Sequence, residues 1–194
     1  EGLISNLSSS FVNLSPEEVD NQINKGLRSI VEFFDADRCT IGLFSEDRTQ
    51  LVSTFEYHSA QTEPAPESMP KEQFPWYVER LIRGNYAMMN RVEDLPPEAE
   101  KERRLCLVKG MKSVLSIPLV SGGKTLGSLA LVSTHAERVW PEEYVPRLRL
   151  LGEILVNVLE RKRAGEALQE RERILRQSED DLRRLAGRLI YAQE

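Results

Sequence analysis

Apolar residues along the first part of the chain recur every three or four positions, as Leu3, Leu7, Phe11 and Leu14 and then as Val19, Ile23, Leu27, Ile30 and Phe34. That period predicts two amphipathic helices. "SPEE" separates them: Ser15 stands as N-cap, Pro16 at the first helical position and Glu18 where a capping box needs it. The rhythm then changes. "RCTIGLFSED" and "QLVSTFEYHS" are β-rich runs of strand length around the polar turn Glu46–Thr49, the signature of a hairpin.

Residues 60–71, with Pro64, Pro66 and Pro70, predict an irregular loop. A short helix is expected over Pro75–Arg83, closed by Gly84 at its C′ position. "NYAMMN" predicts a short strand, and "EDLPPEAEKERRLCLVKGM" a polar loop entering a helix. "KSVLSIPLV" and "TLGSLALVS" predict two strands joined by the Gly-Gly turn of "SGGK". The order predicts an α+β domain with an antiparallel sheet.

From Glu142 the pattern is helical, with Pro146 expected in the first turn. Leu148, Leu151, Leu155 and Val158 repeat at 3-4-3 spacing, which predicts the seam of a two-stranded coiled coil. A second seam runs through Leu168, Arg171, Leu175, Ser178, Leu182, Leu185, Leu189 and Ala192, joined to the first by a stammer through Arg161 and Ala164. The closing "RLAGRLIYAQE" keeps helical spacing with no Gly or Pro to stop it, and the chain opens on Glu1. Both features suggest a piece of something longer.

Composition narrows the classes. A net charge of -5 gives no electrostatic reason to expect nucleic acid or anionic lipid as a partner. No apolar run reaches the roughly 18 residues of a membrane span. Cys39 and Cys106 are too few for a disulfide framework and fit a reducing cytoplasm.

The layout resembles a GAF domain over roughly Leu3 to Leu159. The stretches that carry the resemblance are "SVLSIPLVSGGKTLGSLALVS", "VWPEEYVPRLRLLGEILVNVLER", "DADRCTIGLFSED" and "NRVEDLPPE". It implies a PAS-like fold with a five- or six-stranded antiparallel sheet. The first, second and last helices would cover one face, and intervening helices and loops would form a ligand pocket on the other. "RLAGRLIYAQE" is similar to the run that precedes the phosphoacceptor helix in nitrate/nitrite-sensor histidine kinases. The package implies a sensory domain over 1–159 and a signalling coiled-coil helix over 160–194. The expected partners are a second copy, a kinase core and its response regulator, with no membrane contact and no catalysis by this segment.

Candidate chemistry is sparse. His58 and His135 lack any metal-ligand pattern, and His58 as an axial haem ligand competes with an ordinary histidine at a strand end. Bilin-binding relatives attach their chromophore through a cysteine in the helix of Cys106, but here Leu107 follows where His or Tyr is usual. Asn24-Lys25 with Phe33 and Asp37 only mimics the opening of a cyclic-nucleotide motif. Free-methionine-sulfoxide reductases of this fold need several cysteines, and "SGGK" lacks the spacing and helix of a phosphate loop. What remains is an apolar pocket of Phe55, Tyr57, Phe74, Trp76, Tyr77, Met88 and Met89, with Arg80, Arg83 and Arg91 as candidates to orient an anion. The alternatives are a ligand-free dimerisation spacer and a redox enzyme with reactive cysteines.

Overall fold

A computed structural model describes residues 2–11 and 14–191. The chain divides into two units, 1–158 and 159–194, each taken by itself below.

The first unit opens with helices α1 (Gly2–Ser10) and α2 (Pro16–Phe34). The start of α2 is fixed as the sequence asks: the Ser15 N–H and hydroxyl both donate to the Glu18 carboxylate, at 3.0 and 2.8 Å. Among the described residues six strands follow: β1 (Arg38–Phe44), β2 (Gln50–His58), β3 (Ser68–Pro70), β4 (Ala87–Met89), β5 (Ser113–Ser121) and β6 (Lys124–Ser133). They form one sheet in the order β3-β2-β1-β6-β5-β4, antiparallel at every pairing. Helices α3 (Pro75–Ile82) and α4 (Glu100–Val108) lie between the strands in sequence. Helix α5 (Val145–Tyr191) closes the chain, with Pro146 in its first turn.

Two details depart from the sequence reading. The Pro-rich loop ends in β3, a three-residue edge strand that pairs Met69 with Leu51. An edge position is where Pro70 can sit without breaking a ladder. The first predicted coiled-coil seam is also corrected. Leu148, Leu151, Leu155 and Val158 are buried within the domain, and α5 packs so close that a Cβ on Gly152 would lie 3.0 Å from the Leu119 side chain. A 3-4-3 repeat reads the same against a domain core as against a partner helix, and here the domain's own core takes it.

The sheet sorts its side chains by parity. One face sends Ile41, Leu115, Ile117, Leu119, Leu129 and Leu131 into a core with Ile23, Leu27 and Ile30 of α2 and with Leu148. The other face is covered by α3, α4 and the segments around them, where Met89, Val92, Leu95, Ala99 and Cys106 form a second apolar cluster against Trp76, Met111 and Val114. β1 and β6 at the centre come together around two glycines, with Leu43 opposite Gly127 and Gly42 opposite Ser128. The β5–β6 turn uses Gly122 and Gly123 at φ 55 and 77°, values that L side chains rarely adopt.

In the second unit α5 continues as helix to Tyr191, with ion pairs such as Arg173–Glu170 (2.7 Å) along it. Leu168, Leu175 and Leu182 of the second predicted seam are exposed. Ala192, also assigned to that seam, lies outside the described residues, and so does the end of "RLAGRLIYAQE".

Candidate ligand cavity

The second face of the sheet encloses a cavity of about 420 Å³. Its floor is β1 and β6, through Arg38, Thr40, Gly42, Ser128, Ala130 and Val132, and its other walls come from α3, α4, β4 and the 61–69 segment. That segment is fastened from below. Arg38 Nη1 donates to the Glu63 carbonyl at 2.8 Å, the Ala65 N–H donates to the Glu56 carboxylate at 3.0 Å, and the Ser53 hydroxyl donates to the Pro66 carbonyl at 2.7 Å.

Of the residues expected in a pocket, Phe74, Trp76, Tyr77, Met88 and Met89 line this cavity. Phe55 and Tyr57 do not, and a bulge is the reason. β1 pairs Cys39 with Tyr57 and Ile41 with Phe55, then Gly42 with Ser53, so Thr54 has no partner. Directly paired residues share a face, and one extra residue inverts the facing of everything beyond it. Leu51 therefore reaches the cavity with Gly42, while Phe55 and Tyr57 share the opposite face with Ile41 and Cys39. The Arg28 guanidinium of α2, 6.0 Å from the Tyr57 ring centroid, marks that face.

The three arginines proposed for an anion are also elsewhere. Arg80 Nε donates to the Tyr86 carbonyl at 2.6 Å, Arg83 pairs with Glu79 at 3.3 Å and Arg91 with Asp94 at 3.5 Å. None lines the cavity. The charged groups that do enter it deep in the fold are Arg38 and Glu102, 7% and 4% exposed. Burial pulls the Arg38 pKa below its ordinary value, and the nearby carboxylates of Glu56, Asp37 and Glu63 only partly restore it. Arg38 Nε has no hydrogen-bond partner in the protein, nor has the Thr40 hydroxyl two residues along the same strand face. Glu102 accepts the Tyr77 N–H through Oε1 at 3.1 Å and leaves Oε2 unpartnered. Arg38 had a visible signal, a lone charge opening an otherwise apolar strand run. Glu102 had none, being one charge among many in "EAEKERR".

The remaining polar groups are quieter. The Tyr77 hydroxyl lies 2.8 Å from Ser116 Oγ, and burial raises its pKa, an effect that the hydrogen bond to Ser116 partly offsets. Cys106 lines the cavity, and burial, helped by the Glu102 charge, pushes its thiol up to about 11. Cys39 lies on the far face, fully buried, and burial raises its thiol well beyond the ordinary range. A nucleophilic role needs thiolate, which neither environment favours. His58 is exposed at the end of β2, with Nδ1 3.0 Å from the Ser59 carbonyl, and does not line the cavity, so it is not placed to ligate a haem there. Among the described residues no cluster of three His, Cys, Asp or Glu could hold a metal, and no helix is long and apolar enough to cross a membrane.

Residues 17–160 match the model of the GAF domain family. Solved structures agree on the fold. The chromophore-binding domain of an unusual bacteriophytochrome from R. palustris superposes with a TM-score of 0.70 at 12% identity, covering 84% of this chain and 61% of that one. A free methionine-R-sulfoxide reductase from Neisseria meningitidis, in complex with its substrate, gives 0.66 at 17%, covering 84% and 89%. The blue-light absorbing form of the Thermosynechococcus elongatus PixJ GAF domain gives 0.64 at 17%, covering 82% and 95%. At such identities the likeness concerns the fold alone. No curated protein sequence matches this one.

Proposed function

The chain belongs to the GAF domain family, a sensory and regulatory module type, and from that premise we propose that it is the regulatory module of a two-component sensor histidine kinase. A small molecule in the cavity, or a signal from an upstream domain, shifts α5. The shift passes along a parallel dimer of the second helical unit to a kinase core and its response regulator. The observation that carries this reading is a cavity with unpartnered buried polar atoms in a domain whose closing helix runs on past it: α5 buries Leu148 and Leu151 and continues as helix to Tyr191. The exposed Leu168, Leu175 and Leu182 support the dimer, since an apolar stripe of that spacing is what a second helix would cover. The likeness of "RLIYAQE" to the run before a phosphoacceptor helix supports the kinase parent.

Switching requires two helix packings close in energy. The residues around Arg161–Ala164 and the weak seam positions Arg171 and Ser178 are where the second unit is easiest to repack. Deleting three residues at 161–164 in the full-length protein is expected to lock autophosphorylation in one state. Regulation that survives the deletion unchanged sinks the transmission mechanism. Sedimentation equilibrium of the 194-residue chain is expected to show a dimer that Leu175→Gln with Leu182→Gln converts to monomer.

A further inference from the structure

We propose that the cavity selects a compact molecule with an apolar body of ring size, one anionic head held by Arg38 and Thr40, and one donor group, best an ammonium, received by Glu102. The inference rests on reading the cavity as a ligand site and adds the chemical class of the ligand. Three observations converge on it. The walls supply Phe74, Trp76 and Met89, which ask for an apolar body. The floor supplies a cation: Arg38 is more than nine-tenths buried, spends Nη1 on the Glu63 carbonyl and leaves Nε without a protein partner. Thr40 stands two residues along β1 on the same face, about 7 Å away by strand rise, with its hydroxyl equally unpartnered. The opposite wall supplies an anion: Glu102 is more than nine-tenths buried and uses only one of its two oxygens.

Buried charges that are half-satisfied are costly unless something completes them. Here the two demands have opposite sign and stand on different walls of one cavity, Arg38 on β1 and Glu102 on α4. A purely apolar ligand answers neither. A simple anion answers Arg38 and leaves the Glu102 carboxylate facing an apolar group. A molecule with an acid at one end and a donor elsewhere answers both. A site built to hydrogen-bond a group discriminates strongly against analogues that lack it.

The test uses the whole chain and four probes, each acid paired with an amide of the same shape: 4-(aminomethyl)phenylacetate with 4-(aminomethyl)phenylacetamide, and phenylacetate with phenylacetamide. Binding is read by calorimetry and by the fluorescence of Trp76 in a Trp140→Phe background. The acid is expected to bind about tenfold tighter than the matching amide, and the ammonium to add about tenfold again, as charged hydrogen bonds do. Arg38→Gln is expected to erase the acid–amide ratio and Glu102→Gln the ammonium advantage, each ratio being read between probes on the same variant. Arg38 also holds the 61–69 segment, so if Arg38→Gln does not fold, the probe ratios on the native chain decide. Equal affinity for all four probes overturns the ligand class and leaves the cavity reading standing. Binding by none of them, with Trp76 emission unmoved, overturns the cavity reading itself.

Discussion

Gly127→Ala is the substitution the fold tolerates least for its size. A Cβ placed there would lie 2.0 Å from the Gly42 carbonyl oxygen and 2.9 Å from Leu43 Cα. Non-bonded heavy atoms want about 3.5 Å, so the two central strands would have to separate locally by roughly 1.5 Å. Neighbouring strands sit about 4.8 Å apart with hydrogen bonds near 2.9 Å, and a displacement of that size takes the bonds beside the clash out of range. Two buried ladder bonds lost, each leaving a donor and an acceptor unpaired, cost about 1–3 kcal/mol apiece. The net expectation is a destabilisation of about 3–5 kcal/mol, in the exceptional range for one methyl group. Gly110→Ala is the control: Gly110 has a positive φ, 64°, and nothing lies within 4 Å of an added Cβ, so a conformational cost of about 1–2 kcal/mol applies there without a clash. Urea unfolding followed by far-UV circular dichroism measures both. A Gly127→Ala variant within 1 kcal/mol of the parent, or no worse than Gly110→Ala, would refute the close approach of β1 and β6.

Three further outcomes are expected. Ala130 lies on the cavity floor, so Ala130→Leu is expected to leave thermal stability unchanged or raised by up to about 2 kcal/mol, while abolishing phenylacetate binding; a loss of 1–3 kcal/mol, as in an overpacked core, would show the space to be filled. Burial pushes the Asp37 carboxyl up, but N–H donors of His135 and Thr134 and the His135 ring outweigh it and hold the pKa at about 2. A depressed folded-state pKa contributes stability above the unfolded value, so up to about 2 kcal/mol is expected to be lost as pH falls from about 4 to 2; Asp37→Asn should flatten that limb of the urea-midpoint profile, and an unchanged profile rules the network out. Both thiols are expected to resist a maleimide at neutral pH in the native chain, Cys39 more than Cys106, given their burial and raised pKa values; rapid labelling of either would instead favour a redox role.

Local chemistry made much of the architecture legible. Ser15-Pro16 with Glu18 started α2 where the capping rule put it, the Gly122–Gly123 pair turned β5 into β6, and Gly84 closed α3. Each depends on residues within a few positions of one another, which a sequence displays directly. The order of elements follows, and with it the α+β domain and its antiparallel sheet.

Which side of an element meets which neighbour is a different kind of fact. Phe55 and Tyr57 alternate correctly for a pocket, yet one unpaired residue at Thr54 turns them to the other face. Leu148 to Val158 carry a seam's spacing, but the spacing records only that one stripe of the helix is apolar, and the domain's own core covers it. Arg38 and Glu102 lie 64 positions apart in the chain and are joined only because β1 and α4 wall the same cavity. The sequence by itself determined the elements other than the edge strand β3, through short-range backbone and periodicity preferences. Only the tertiary structure decided the register of the bulge, the partner of each apolar stripe and the meeting of the two buried charges. Those depend on contacts between distant segments, where many pairings satisfy the same local pattern and packing selects one.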